Sequence, residues 1–455
     1  MLKAFRHLPA FPYLCTCMCR KTLLYIWLLG MLMPLQAFCQ LDLTNRSTVY
    51  GTFGLTGATN REFNELLSSK GLSPTRNGYM NFGLGFQTRY NDFLVGFELF
   101  QNVGQYATFN DFRINQRSTR FYANVGYALT EEGRFQFLHY LSLGAGFLNF
   151  QMLRDTPRET FGHFLDQPQQ GFILRDGDIH RGTSALTGFL TEIGFQASYD
   201  FFIPGRGEML EVITRFGYAF SPFENSWEMA GMSFNNLMSG AFFRMGLGLT
   251  LPDQNFFYKD ATLGVYFLYG PNFTAPEALN EALEGAGLQP VANRANNFGM
   301  RIMGESKQFL YAIDIYNSGH SGTANASSTH TLNFARMYLS GGRKFFEWKN
   351  FELGGLLGLG YANLRYTLLA QQRPDFPVLF EEPFHDGYVR TSGLAVKPET
   401  SFLYGIPLTK SQLFNVVVGV NVGFELPIGS FDLLDVPMGS YVRSPYAQLV
   451  IGLRP

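Results

Sequence analysis

Charged side chains recur inside stretches that are otherwise apolar, and they recur at alternate positions. Arg89 stands in NFGLGFQTRY, Glu192 and Asp200 in LTEIGFQASYDFF, Arg244 in FFRMGLGLTL and Glu425 in VVVGVNVGFEL. The same alternation selects Glu98, Glu211, Arg215, Arg301, Glu305, Asp314, Glu352 and Glu399. Charges projected from one face of paired strands support two kinds of chemistry. They can line a water-filled passage and set its ion preference, here mildly cation-favouring because the acids outnumber the bases. They can instead pair with one another and close a narrow interior, each burial offset by an opposite charge. Glu192 and Glu399 occupy matching places in an internal repeat and are the leading candidates for a specific inward role.

Other chemistry is thinly represented. RDGDIHRGT brings Asp176, Asp178 and His180 together but lacks the further oxygen ligands of a calcium loop. A solvated loop is the expectation, and no metal or cofactor is assigned. His139, His163, His180, His320, His330 and His385 are scattered, and only His320-Ser321 in NSGHSGT puts a base beside a nucleophile. Cys15, Cys17, Cys19 and Cys39 all precede Gln40, so the rest of the chain has no disulfide, thiolate ligand or cysteine nucleophile.

The elements that would position these residues are strands. In 81–90, Phe82, Leu84, Phe86 and Tyr90 oppose Asn81, Gly83, Gly85, Gln87 and Arg89, the period of two expected of a strand with two unlike faces. The pattern yields about sixteen strands. They fall near 46–57, 78–91, 92–103, 117–130, 134–152, 183–203, 206–222, 235–251, 258–270, 293–306, 307–319, 328–343, 348–368, 393–409, 411–427 and 441–454. Tight turns such as 130–133 and 203–207 follow even-numbered strands. Long loops follow odd ones, near 58–77, 104–116, 153–182, 223–234, 271–292, 320–327, 369–392 and 428–440.

Composition agrees. The 455 residues are 46% hydrophobic, 16% aromatic and 16% charged, with 49 Gly, where an average soluble domain is about 25% charged. Disorder is excluded by the apolar content, and a nucleic-acid footprint by 35 basic against 36 acidic residues. Beyond the N-terminus no run approaches the roughly 20 apolar residues of a membrane helix. Residues 22–38, TLLYIWLLGMLMPLQAF, follow Arg20 and Lys21 and precede Cys39. This is the layout of a secretory signal peptide, 1–39, with an uncleaved anchor as the alternative. A start at Met18 would give a signal of ordinary length.

An internal repeat divides the rest of the chain into 40–255 and 256–455. FNELLSSKGLSPTRNGYMNFGLGFQTRYNDFLVGFELFQ aligns without a gap to LNEALEGAGLQPVANRANNFGMRIMGESKQFLYAIDIYN, matching Asn64 with Asn280, Gly71 with Gly287, Leu72 with Leu288, Pro74 with Pro290 and Phe82 with Phe298. Each half would carry eight strands and one short amphipathic helix, near 60–70 and 276–286.

With short turns on one side, long loops on the other and a Phe-rich face opposed to a Gly-rich one, the chain resembles the outer-membrane β-barrel proteins of Gram-negative bacteria. Gln40 after the cleavage site is similar to the habit of Bacteroidota secreted proteins. The resemblance covers 40–455 and is architectural. It departs at the end, Gly452-Leu453-Arg454-Pro455, where such proteins usually carry an aromatic residue. It implies an all-β, antiparallel transmembrane barrel exported to the outer membrane, with membrane lipid and the barrel-assembly machinery as partners. On this reading Tyr50, Tyr79, Tyr90, Tyr127, Tyr218, Tyr311 and Tyr338 suit interfacial girdles.

Strand 1 can pair with strand 8, making two tandem eight-stranded barrels, or with strand 16, making one wide barrel. The short connector after strand 8 favours a continuous wall, and the glycine-rich inner face favours narrow interiors. One sixteen-stranded barrel is the expectation adopted. The leading functional expectation is accordingly a non-enzymatic pore or transporter for small solutes. The alternatives are a structural or surface-interaction barrel whose long loops bind partners, and a lipid-active hydrolase at His320 and Ser321.

Overall fold

The computed structural model describes residues 45–72, 74–90, 92–102, 105–109, 111–130, 133–154, 160–167, 170–173, 186–202, 209–223, 227–229, 232–252, 261–371, 375–382, 386–407 and 415–454. The segment expected as a signal peptide, Asp176, Asp178, His180 and the tight turn expected at 203–207 lie outside them. Eight wall strands come from the first half: β1 Asn45–Thr56, β2 Tyr79–Tyr90, β3 Phe93–Asn102, β4 Phe112–Ala128, β5 Phe135–Arg154, β6 Leu186–Phe202, β7 Met209–Phe220 and β8 Gly240–Pro252. Eight come from the second: β9 Ala261–Phe273, β10 Arg294–Ser306, β11 Phe309–Asn325, β12 Ser328–Trp348, β13 Phe351–Ala370, β14 Asp386–Pro407, β15 Asn415–Ile428 and β16 Ser444–Arg454. The segments expected as loops at 104–116 and 320–327 are largely strand, because β4, β11 and β12 run further than the apolar part of their alternation.

All wall ladders are antiparallel, and closure overturns the single-barrel expectation. β1 pairs with β2 on one side and with β8 on the other, Val49 facing Leu249. β9 pairs with β10 and with β16, Tyr266 facing Gly452. Two rings of eight result. A ring of eight is just wide enough for side chains to fill, and the inner glycines are what lets large rings fill it. A Cβ on Gly85 would lie 2.1 Å from the Tyr50 ring, and one on Gly423 would lie 2.3 Å from the Tyr446 hydroxyl.

The alternation assigns the two faces as expected at most positions. Asn81, Glu192, Asp200 and Arg244 are buried inward. Phe82, Leu84, Ile193, Phe195, Met245 and Leu247 are exposed outward, as are Phe298, 64% exposed, and Leu357, 60%. Leaving a large apolar side chain in water costs about 1.5–3 kcal/mol, and soluble monomers rarely expose patches beyond a few hundred Å². A wall made of such residues calls for lipid. The described helices include none long and apolar enough to cross a membrane.

Among the tyrosines expected in the girdles, Tyr127, Tyr218 and Tyr311 are exposed, whereas Tyr50, Tyr79 and Tyr338 are buried inside the rings. The correction has an electrostatic reason: inward arginines and a lysine offer these rings cations. Arg215 lies 5.4 Å from the Tyr50 centroid, Arg120 5.4 Å from Tyr79 and Lys397 5.2 Å from Tyr338.

Matching residues do matching work in the first long loop of each ring. Helix α1, Arg61–Ser69, and helix α4, Glu277–Gly285, each bury two apolar residues, Phe63 and Leu67 in one and Leu279 and Leu283 in the other. Each ends in a left-handed glycine, Gly71 at φ 73° and Gly287 at φ 71°. The following amide donates back into the helix, Leu72 to Leu67 at 2.9 Å and Leu288 to Leu283 at 2.8 Å, a Schellman end that favours glycine. Asn64 accepts from the Thr75 amide and Asn280 from the Val291 amide, both at 2.8 Å. The last long loop of each ring also repeats, with the hairpin Glu228–Met229/Met232–Ser233 and helix α3, Asn235–Met238, in the first. The second has Asp432–Leu433/Val436–Pro437 and helix α5, Gly439–Val442.

Candidate functional site: two filled interiors and the seam between them

In the first ring, the inward charges converge into two knots. Arg46 of β1 reaches Asp200 and, at 3.2 Å, Glu211; Glu211 also accepts from Thr48 at 2.6 Å and Thr250 at 2.9 Å. Arg89 is buried beside the same group. Arg215 donates to Glu98 at 2.6 Å and to Gln196 at 2.7 Å, while Arg244 grips Glu192 with both nitrogens, at 2.9 and 2.6 Å. Glu98 also lies 3.4 Å from Arg244 and so joins the two arginines.

The second ring is filled in the same manner. Glu399 takes Arg301 at 2.7 Å, Lys397 at 3.3 Å and the Tyr446 hydroxyl at 2.7 Å, and Asp314 is shared by Arg301 and Lys397. Arg336 donates to Glu425 at 2.7 Å, and Tyr316 donates to the same carboxylate at 2.6 Å. Nearer the strand ends, Arg454 holds Glu352 at 2.6 Å and Glu305 at 3.4 Å, and Lys344 also reaches Glu305. Glu192 and Glu399 are both inward, and both are bound to cations.

Several of the cations that balance these acids, Arg46, Arg336, Lys397 and Arg454, do not stand out from the alternation of polarity. In NFARMYL the inward face also holds Phe334 and Tyr338, so polarity alone names the wrong face. Large rings alternating with a basic residue on one strand face are the available signal.

The mouths are stoppered by exchanged loops. Helix α2, Phe161–Asp166, follows β5 of the first ring, yet Phe161 and Phe164 pack on Tyr366 of the second, with centroids at 5.3 and 6.2 Å. The Phe161 amide donates to Asp435 at 2.6 Å. In the other direction, Phe376 after β13 packs on Phe63, Phe150 and Phe234 of the first ring at 6.0, 5.4 and 5.7 Å. The short strand Gly171–Ile173 pairs with β5 and touches β14 at Asp386. The Asp386 carboxylate accepts from Ile173 at 3.0 Å and from Ala370 at 2.9 Å.

Between the walls, Phe267 of β9 meets Phe97 at 5.5 Å and Phe121 at 6.2 Å. An apolar groove of about 460 Å³ runs along this seam, lined among others by Leu84, Phe121, Phe298, Ile313 and Met337. A polar cleft of about 710 Å³ adjoins it on the long-loop side, and Phe147, Asn317 and Asn363 line both. Membrane strands need about 9–11 residues, whereas β12, β13 and β14 have 21, 20 and 22. Their excess length builds the cleft.

His320 and Ser321 border this cleft. Successive strand residues point to opposite faces; His320 turns toward Tyr441, 6.2 Å away, and Ser321 is exposed. No hydrogen bond joins the two. Among the described residues, no three His, Cys, Asp or Glu side chains gather as a metal site.

Neither known protein families nor curated proteins contain a match to this chain. Among solved structures it is similar to a TodX monoaromatic hydrocarbon channel deltaS2 mutant, with 11% identity over 90% of this chain and 88% of that one and a TM-score of 0.22. It is similar to the CymD monoaromatic hydrocarbon channel at 10% identity, covering 93% and 91%, with a TM-score of 0.19. Salmonella typhi OmpF in complex with daunomycin stands at 10%, covering 91% and 99%, with 0.13. At these scores the likeness carries no argument, and the architecture rests on this chain's own ladders.

Proposed function

We propose that this chain is a duplicated, non-enzymatic double barrel of the bacterial outer membrane, exported by its N-terminal signal, that binds a ligand at its seam and long-loop face while both lumens stay closed. The supporting observation is that Glu98, Glu192, Asp314, Glu399 and Glu425 are buried and each is ion-paired across its ring. A pore needs water where these pairs stand. Purified protein in planar bilayers is expected to give no conductance above background, and steady channel currents would overturn the reading. A transport role has one observation in its favour: the cleft and the groove adjoin and share Phe147, Asn317 and Asn363 as lining, which suits lateral passage of a small amphiphile between the surface and the membrane.

A further inference from the structure

We propose that the seam holds a neutral glycolipid of the surrounding membrane, with its sugar among the amides of the polar cleft and an acyl chain in the apolar groove. This rests on the seam being the working site and names its ligand. Both walls change from apolar side chains to amides at one level. On the second ring, the outward row Met300, Ile315, Met337 and Tyr361 is followed toward the cleft by Phe298, Asn317, Ala335 and Asn363. On the first ring, the row Leu84, Leu99 and Phe121 is followed by Phe82, Gln101 and Thr119. Arg336 and Tyr316 also line the groove, but their polar groups turn inward to Glu425. Leu84, Phe298 and Met337 belong both to the groove and to the exposed outer wall. The groove is thus continuous with the lipid-facing surface, and what enters it from there is an acyl chain.

The amides select the head. Asn317, Asn333 and Asn363 stand on three neighbouring strands within two rows of the ladder, and none of their side chains is hydrogen-bonded to a described residue. Adjacent strands lie about 4.8 Å apart, so the three amides span about 10 Å, a width that one hexose with its hydroxyls can bridge. Asn115 and Gln151 add amides from the first ring. A primary amide carries donor hydrogens and an acceptor oxygen at the same end. A hydroxyl both donates and accepts and so answers both, whereas a phosphate or carboxylate group answers only the donors. Elsewhere the long-loop end of the wall carries exposed rings such as Phe189, Tyr218 and Phe223; at the seam, amides take their place.

The test uses the full protein in tetraethylene glycol monooctyl ether, a detergent without sugar or charge, with binding read by native mass spectrometry and by thermal shift. Glucosyl dimyristoylglycerol is expected to bind about tenfold more tightly than dimyristoylglycerol, glucose or dimyristoyl phosphatidic acid. The triple replacement N317A/N333A/N363A should abolish that preference. Ala335→Trp, which fills the head of the groove, should weaken the glucosyl lipid and dimyristoylglycerol alike, by about tenfold. The heat-modifiable folded band is expected to remain, since these side chains lie outside the closed networks; if A335W fails to fold, the alanine triple decides alone. Equal binding of dimyristoylglycerol, of glucose or of phosphatidic acid overturns the proposal, as does an unaltered preference in the alanine triple. The bilayer recording separates the two readings. Silent lumens with no preference for the glucosyl lipid refute only the glycolipid assignment, whereas channel currents refute the closed-barrel reading whatever the lipid result.

Discussion

Inside the two rings, Glu98, Glu192, Asp314, Glu399 and Glu425 are each held by a cation; the seam between the rings is an apolar groove beside a polar cleft. The interiors are held together by charge, whereas the groove is lined mostly by apolar side chains. Breaking a buried pair costs about 3–5 kcal/mol because it strands a charge away from water. The interior networks are therefore parts of the wall. Size reinforces the contrast, since a ring of eight is narrow enough for Arg215 of β7 to reach Glu98 of β3 across it.

The contrast can be broken most forcefully from within. Arg244→Ala leaves Glu192 without its two-point partner and should cost about 3–5 kcal/mol, read as a lower urea midpoint for the folded band in liposomes. The paired change R244M/E192Q should recover most of that loss. Unaltered stability in R244A would mean that the interior is wet. Next in size is the stopper. Phe376→Ala removes a ring shared by Phe63, Phe150 and Phe234 and should cost about 3 kcal/mol, seen as faster proteolysis within 371–385. The matched asparagines come third: Asn64→Ala and Asn280→Ala each remove a clamp on a loop backbone and should each cost about 1 kcal/mol. A large inequality between them would show that the two rings are not equivalent at this place.

The smallest effect is expected at the surface. Lys70 donates to Glu381 at 2.7 Å and holds its carboxyl below the usual range, in the exposed connection between the rings. A lowered folded-state pKa gives stability that is present above the ordinary carboxylate pKa and is lost as pH falls through the lowered one. Because the group is open to solvent, the pair should be worth almost nothing. Glu381→Gln should leave the acid limb of a melting-temperature profile unchanged, and a clear shift would reveal a rigid contact between the loops.

Much of the wall was legible because a strand's side chains alternate whatever it pairs with. Ile193 against Glu192, or Met245 against Arg244, needed no partner to be assigned. The interior rings were harder. Tyr50 and Tyr338 look like girdle residues until the cations beneath them are known, and those cations, Arg215 and Lys397, lie on distant strands. The seam was not legible at all: Arg117 and Arg365 are 248 positions apart, and nothing local marks them as neighbours.

Alternation and the helix ends at Gly71 and Gly287 follow from residue type and short-range geometry, and could be read without any partner. The partner of β1 did not follow, because β8 and β16 end matching halves and offer the same unpaired backbone groups. Only closure in three dimensions chose between them, when the inward charges of each half found one another across a narrow ring. That choice, with the loops exchanged above it, is what created a seam between two walls.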